Sequence, residues 1–320
     1  MVTLNGHLNY VIIFTMISVI ITAYREEKSI GNVIKSIVKN APTENYELIL
    51  VCPDDPTLIA ANQAILELGI ANDIFRHIKD PMKGKPYALN LAFSAAKGEI
   101  LILTDGDIVN LEDNSIQLLV NKLKLNLNSG GVSGRPVSAD NKNSLFGYWG
   151  HLLADAAHSK RYDTLKDNIQ ENTFFVMSGY LMGIFKPNFT IPANILSDDA
   201  YISYKIANQH KYILYEPNAK VYIKYPTNIH DWFKQKCRSL GGYIQLHKMG
   251  IITHSTKSRS FWGEVAYSNF PIEYATTLKE FFWSLLLYPT RLYLWLRVFV
   301  ERKFFEKSFE KTWVRVESTK

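Results

Sequence analysis

The chain has 320 residues, 47% hydrophobic and 21% charged, with a formal net charge of +6. This is an ordinary globular balance without repeats or low-complexity tracts, and it supplies apolar residues for one large domain or two small ones. Its two cysteines, Cys52 and Cys237, lie too far apart to suggest a disulfide framework or a thiolate metal site; they read as small buried hydrophobes in a reducing setting.

Residues 10–21 are nearly all apolar, yet no Lys or Arg precedes Arg25 and no small-residue cleavage site follows. A signal peptide is therefore not expected, and the run falls short of the ~20 residues a bilayer span needs. Its second half reads as a buried strand, and residues 1–15 as an extension.

From residue 17 the pattern alternates. Residues 17–23 form a β-branched run. Ser29 then caps a helix whose Ile30, Val33, Ile34, Ile37 and Val38 share one face. A strand at 47–51, a turn at 53–56 and a helix at 58–68 follow. Next come a strand at 74–78, a small-residue helix at 87–96 and a strand at 100–104 that ends in Asp105-Gly106-Asp107. This order predicts an α/β fold with a mainly parallel sheet, its site beyond the carboxyl ends of the strands. Further on, the pattern changes after 131–137. It gives a helix at 145–157, a strand or hairpin at 174–185 and a helix capped by Ser197. Two short strands at 212–215 and 220–225 precede a helix at 229–246. The expected organisation is a domain over 16–225, a helix and linker over 226–260, and a tail over 261–320.

Asp105 and Asp107 carry the chemistry. Two carboxylates on one turn after a buried strand are costly to hold together unless a cation lies between them. Mg²⁺ or Mn²⁺ is the natural occupant, bound by one or two carboxylates plus phosphate oxygens. The bland alternative is a polar turn. Lys83-Gly84-Lys85, at the end of the preceding strand, suits phosphate charge; otherwise it is a solvated basic loop. Asp198-Asp199 opens a helix, either as a general base or as dipole-stabilising acids worth ~0.3–1 kcal/mol.

In this order the elements resemble the family 2 type inverting glycosyltransferases of GT-A fold, those related to cellulose, hyaluronan and poly-N-acetylglucosamine synthases. The resemblance spans roughly residues 16–245. It implies a nucleotide-sugar donor, UDP-linked by expectation, met by Thr22, Tyr24 and Glu26 after the first strand and by Asp54 after the second. Lys83, Lys85 and Asn90 match a K-x-x-A-L-N stretch beside the diphosphate. Asp105 and Asp107 match D-x-D, with Asp107 the direct metal ligand. Ser178-Gly179 resembles the acceptor-side loop, with Asp198-Asp199 as the base pair and Asp199 the base. Gln235 and Arg238 match Q-x-x-R-W, but position 239 is Ser, so the aromatic that meets an acceptor chain is missing. The acceptor is expected to be a saccharide or a lipid-linked one.

The tail from 279 to 320 carries nine Lys/Arg against five Asp/Glu and is rich in Phe, Trp, Tyr and Leu. That composition suits an anionic membrane surface. Nucleic acid is not expected, since no helix-turn-helix, zinc-finger or aromatic platform pattern occurs. Arg291, Arg297 and Pro289 interrupt the longest apolar stretch, and a central charge costs about 2.5–3.5 kcal/mol in a span. An in-plane amphipathic helix pair is therefore expected, with an internal core helix as the alternative, and the resemblance implies a location at the cytoplasmic face. Two rival functions remain: a sugar nucleotidyltransferase, whose glycine-rich first loop is absent here, and a non-catalytic nucleotide-sugar binding protein.

Overall fold

The computed structural model describes residues 16–166, 174–252, 260–304 and 316–319, so the expected extension at 1–15 lies outside the described residues. In chain order the strands are β1 (Met16–Thr22), β2 (Asn45–Cys52), β3 (Phe75–Lys79), β4 (Ile100–Asp105), β5 (Asn110–Leu111), β6 (Ser129–Ser138), β7 (Leu181–Phe185) and β8 (Tyr212–Ile223). The helices are α1 (Ile30–Lys39), α2 (Asp55–Glu67), α3 (Lys85–Ala95), α4 (Ser115–Lys124), α5 (Leu145–Lys166), α6 (Asp198–Ala207), α7 (Ile229–Lys248), α8 (Phe261–Val265), α9 (Phe270–Tyr274) and α10 (Leu278–Phe304).

The strands form one sheet in the order β3-β2-β1-β4-β7-β6-β8-β5. The first four pair in parallel, β7 runs antiparallel to β4 and β6, and β6 pairs in parallel with β8. The period-2 alternation divides β1 between two cores. Ile17, Val19 and Ile21 pack with α1, α2 and α4 on one face. Ile20 packs with α3 and α6 on the other. Because β1 is covered on both faces, its residues read as an unbroken apolar run. A third core joins Tyr148, Trp149 and Leu152 of α5 to Trp232 and Leu240 of α7 and to Leu287, Leu294 and Val298 of α10.

Several local expectations change. The second half of the expected turn at 53–56 is already helix, because Asp54 caps α2 and Pro56 sits in its first turn, where a missing N–H costs little. The two strands at 212–215 and 220–225 are one twelve-residue strand, β8, joined to β6 across register shifts. Only β7 of the 174–185 segment is a strand. The helix after 145 reaches Lys166, while α4 and β5 were not anticipated. Ser29 and Ser197 occupy N-cap positions without making side-chain caps, since both hydroxyls serve the site described below.

Among the described residues no helix is long and apolar enough to cross a membrane. In place of a helix pair, one 27-residue helix, α10, runs through Pro289. Its inner face packs on α5 and α7. Arg291 Nε donates to Glu264 at 3.1 Å and Arg297 Nε to Glu301 at 2.9 Å, so both arginines are paired within the protein.

Candidate active site

A cavity of about 1750 Å³ opens over the carboxyl ends of β1, β2 and β4. Its floor is a set of mutual ties between the loop after β1 and the Asp105-Gly106-Asp107 turn. Gly106 N donates to Thr22 O at 2.9 Å, and Ser29 Oγ to Gly106 O at 2.8 Å. Thr22 Oγ1 lies 3.3 Å from Asp105 Oδ1. A Cβ on Gly106 would stand 2.6 Å from Ala23 Cβ and 3.2 Å from its Cα. Gly106→Ala should therefore push the turn off the β1 loop, at a cost of about 1–3 kcal/mol. A thermal melt and a metal-titrated activity assay check this, and an unchanged melt would contradict the contact.

Lys85, the first residue of α3, reaches under this turn. Its Nζ is 2.7 Å from Asp105 Oδ1 and 3.1 Å from Asp198 Oδ2. The second contact is an ion pair by distance without hydrogen-bond alignment, so Asp198 Oδ2, though buried, has no hydrogen-bond donor. Burial works against the lysine's charge, but Asp105 and Asp198 outweigh it and raise its pKa. Burial, and then Asp107, raise the Asp105 carboxyl despite Lys85.

Asp198 and Asp199 come from the first turn of α6. Asp199 Oδ1 accepts from Ser197 Oγ at 2.6 Å and from Ala200 N at 2.8 Å. Burial, with Asp198 second, holds its carboxyl above the ordinary range. Helix α7 fixes the approach to α6. Gln245 accepts from Leu196 N at 3.0 Å and donates to Asn194 O at 2.6 Å, and Gly242 lets α7 close on Ser197. Backbone at Gly179 passes beside Asp199: a Cβ there would be 3.5 Å from Oδ2. Ser178 N donates to Ser133 Oγ at 2.9 Å. Gln235 Nε2 is 3.5 Å from the Tyr180 hydroxyl, and its buried Oε1 has no hydrogen-bond partner.

Of the residues singled out in the sequence, Thr22, Tyr24, Glu26, Lys83, Lys85, Asp105, Asp107, Ser178, Gly179, Asp198, Asp199, Gln235 and Arg238 all line this cavity. Asp54 and Asn90 are not among the lining residues. Asp54 Oδ1 accepts from Thr57 N and Oγ1 at 3.0 and 2.6 Å, and Oδ2 from Arg25 N at 2.9 Å. It caps α2 and holds Arg25 in a left-handed conformation. Asn90 donates to Ile191 O at 2.7 Å and accepts from Ile191 N at 2.8 Å, tying α3 to a distant loop. Sequence reasoning missed Lys160, Arg161, Tyr180, Lys224 and Lys236 on the cavity wall; no motif marks them, because they are spread over α5, α7 and the segments just before β7 and just after β8.

The residues present suit a divalent cation. Asp105 and Asp107 offer hard oxygen donors on one turn that lines the cavity, and burial, opposed by Lys85, raises the Asp105 carboxyl. Among the described residues no group of three or more His, Cys, Asp or Glu is placed to hold a metal.

Residues 18–189 match the family described as Glycosyl transferase family 2. No curated protein matches the chain. Solved structures with the same fold include the mannosyltransferase PcManGT from Pyrobaculum calidifontis in complex with GDP-Man and Mn²⁺. It is 18% identical, with a TM-score of 0.62 over 91% of this chain and 88% of that one. Another is glucosyl-3-phosphoglycerate synthase from Mycobacterium tuberculosis in complex with Mn²⁺ and UDP-Glc, 17% identical, with a TM-score of 0.51 over 75% of this chain and 81% of that one. The curled mixed sheet is consistent with a GT-A fold. Because the family match covers more than half of the chain and runs from β1 through β4 and β7, the protein belongs to glycosyl transferase family 2 and is a glycosyltransferase.

Proposed function

We propose that the protein transfers a sugar, with inversion, from a nucleotide-sugar, UDP-linked by preference, to a hydroxyl of a saccharide or lipid-linked acceptor. The observation that carries this is convergence: Lys85, Asp105, Asp107, Asp198 and Asp199, from three separate strand or helix ends, meet in one cavity. Mn²⁺ in the two similar structures supports a divalent cation, Mn²⁺ or Mg²⁺. Asp105 and Asp107 would hold it, and it would supply charge neutralisation at the donor diphosphate. Gln235 and Arg238 on the same wall favour the branch of cellulose, hyaluronan and poly-N-acetylglucosamine synthases, with Ser239 departing from it.

Asp199 accepts the proton of the acceptor hydroxyl as that oxygen attacks the anomeric carbon. The bond from that carbon to the diphosphate breaks in the same displacement, so configuration inverts. Lys83, Lys85 and Arg238 meet the charge that develops on the leaving diphosphate. Lys85 is held in place by Asp105 and Asp198, so no reorganisation is needed at that moment.

The test is nucleoside-diphosphate release from UDP- and GDP-sugars with and without Mn²⁺ or Mg²⁺, beside Asp107→Asn. Release from one donor that needs metal, and loss of both metal dependence and donor affinity in the variant, is the expected result. Release by a nucleotidyltransferase would instead produce pyrophosphate from sugar phosphate and nucleotide triphosphate.

The same reading places the enzyme on the cytoplasmic face of a membrane through α10. Phe282, Leu286, Leu292, Leu296 and Phe299 fall on its outer side, 49–61% exposed. An apolar stripe of this kind lies in the interface plane. Flotation with phosphatidylglycerol vesicles should carry the wild type upward and leave Phe282→Glu/Leu286→Glu in the pellet fraction. Equal flotation of both would refute the placement.

A further inference from the structure

A carboxylate that acts as a base has two oxygens, and the fold treats those of Asp199 differently. Oδ1 takes two donors, Ser197 Oγ at 2.6 Å and Ala200 N at 2.8 Å. Oδ2 takes none among the described residues. Asp199 and Gly179 both line the cavity, and the backbone of Gly179 runs beside Oδ2, where an added Cβ would stand 3.5 Å away.

Ser197 leaves its usual role to hold Oδ1. A serine at an N-cap normally accepts from an N–H of the first helical turn, but Ser197 makes no such bond. Its hydroxyl donates instead to the carboxylate, at a charge-assisted distance. The residue is also clamped in place. Its carbonyl accepts from Tyr201 N at 3.0 Å, the preceding Leu196 N donates to Gln245 at 3.0 Å, and a Cβ on Gly242 of α7 would come within 2.7 Å of Ser197 Cβ. The Gly179 loop is tied to the same helix. Ser203 Oγ donates to Asp199 O at 2.7 Å and accepts from Met177 N at 3.0 Å. Ser133 Oγ of β6 accepts from Ser178 N at 2.9 Å. Both serines are fully buried, so the spacing between Gly179 and Asp199 is fixed from two elements.

We propose that Ser197 and Gly179 make Asp199 a one-sided base: Ser197 is a positioning residue that holds Oδ1, and the missing side chain at Gly179 leaves Oδ2 to meet the acceptor hydroxyl. The inference rests on the transferase reading and adds to it which oxygen reacts and what keeps it open. The hydroxyl proton passes to Oδ2 and the hydroxyl oxygen bonds to the anomeric carbon. The electron pair of the broken bond leaves with the nucleoside diphosphate. The charged groups that act on Asp199 are Asp198 beside it, Lys85 of α3 and Arg161 of α5, while Arg238 and Tyr243 of α7 line the same cavity.

Two measurements test it, both on the full chain. The first is a ¹³C NMR titration of protein labelled at the aspartate carboxyls, with Asp199→Asn to identify the signal. Ser197→Ala removes a hydrogen bond that favours the charged carboxylate, so the Asp199 midpoint should rise. Gly179→Ala sets a methyl at ordinary contact distance from Oδ2; the fold should tolerate it, and the desolvated oxygen should raise the midpoint as well. An unchanged midpoint in either variant overturns the proposal; a lower melting temperature of Ser197→Ala with an unmoved midpoint would make the serine a helix cap alone.

The second measurement is nucleoside-diphosphate release from UDP-glucose and GDP-mannose with Mn²⁺, with cellobiose or water as acceptor. The acid limb of kcat should move to higher pH in Ser197→Ala, and this effect should vanish when Asp199→Asn is present. Gly179→Ala should lower transfer to cellobiose by about 10²-fold, the scale of a small misplacement at a reacting centre, with the donor KM unchanged. An unmoved acid limb, or a Gly179→Ala loss confined to the donor KM, overturns this proposal and leaves the transferase reading standing. Midpoints that rise as expected in a protein that turns over no donor do the reverse.

Discussion

Replacing Asp199 by Asn should reduce transfer by about 10²–10⁴-fold, the range a positioned general base contributes, while donor binding stays close to wild type. The carboxylate and the amide have nearly the same shape, and Ser197 Oγ and Ala200 N both bond to Oδ1. The amide carbonyl accepts those bonds but cannot take a proton from an acceptor hydroxyl. Donor binding depends instead on the β4 turn and Lys85. The pH profile provides a second readout. Burial and Asp198 raise the Asp199 carboxyl above its ordinary 3.8, so the base becomes protonated, and activity falls, as pH drops through that raised value. The acid limb of kcat should lie above the usual carboxylate range in wild type and disappear in the variant. Weakened donor binding with transfer preserved would show that Asp199 is not the base.

Lys85→Met should lower both stability and donor affinity. The lysine is the shared partner of Asp105 and Asp198, and all three side chains are at most 22% exposed. Removing one member of a buried ion pair typically costs about 3–5 kcal/mol, because the remaining charges are left uncompensated; residual exposure here puts the expected loss near the lower end. Chemical denaturation measures it without metal. Adding saturating Mn²⁺ and nucleoside diphosphate should restore part of it, since a cation on the same turn supplies some of the missing positive charge. The double variant Lys85→Met/Asp105→Asn should be more stable than Lys85→Met alone. Additive losses in the double variant would mean that the two residues do not interact energetically.

The parallel half of the sheet was legible because strands covered on both faces read as unbroken apolar runs and the helices between them keep their 3.6-residue period. The β4 turn was equally legible: Asp105-Gly106-Asp107 needs only a strand end to place it at a ligand site. The later half was harder to read. In β8, Glu216-Pro217-Asn218 looks like a break between two strands, yet pairing with β6 on either side carries one strand through it. Helix α4 begins after Asn114 in a left-handed conformation without a side-chain cap, so its usual start signal is missing. Pro289 suggested an interruption of α10, but contacts with α5 and α7 hold the helix on both sides of it.

Asp54 and Asn90 show the limit of carrying roles along a motif. Each is a polar residue in the expected stretch, and each spends hydrogen bonds on the scaffold: Asp54 at the Thr57 backbone and hydroxyl and at Arg25 N, Asn90 at the Ile191 backbone, 101 positions away. Arg161 is the converse case, a helix residue that no motif marks and that folding brings into the cavity lining. The sequence by itself determined the α/β order, the carboxylate turn at the end of β4 and the acidic opening of α6, because local periodicity and strand-end position suffice for these. Tertiary structure alone decided that Lys85 joins Asp105 to Asp198, that Asp54 and Asn90 brace the scaffold, and that Arg161 of α5 lines the same cavity. Those outcomes depend on side-chain direction and on contacts between segments tens of residues apart, which no local pattern encodes.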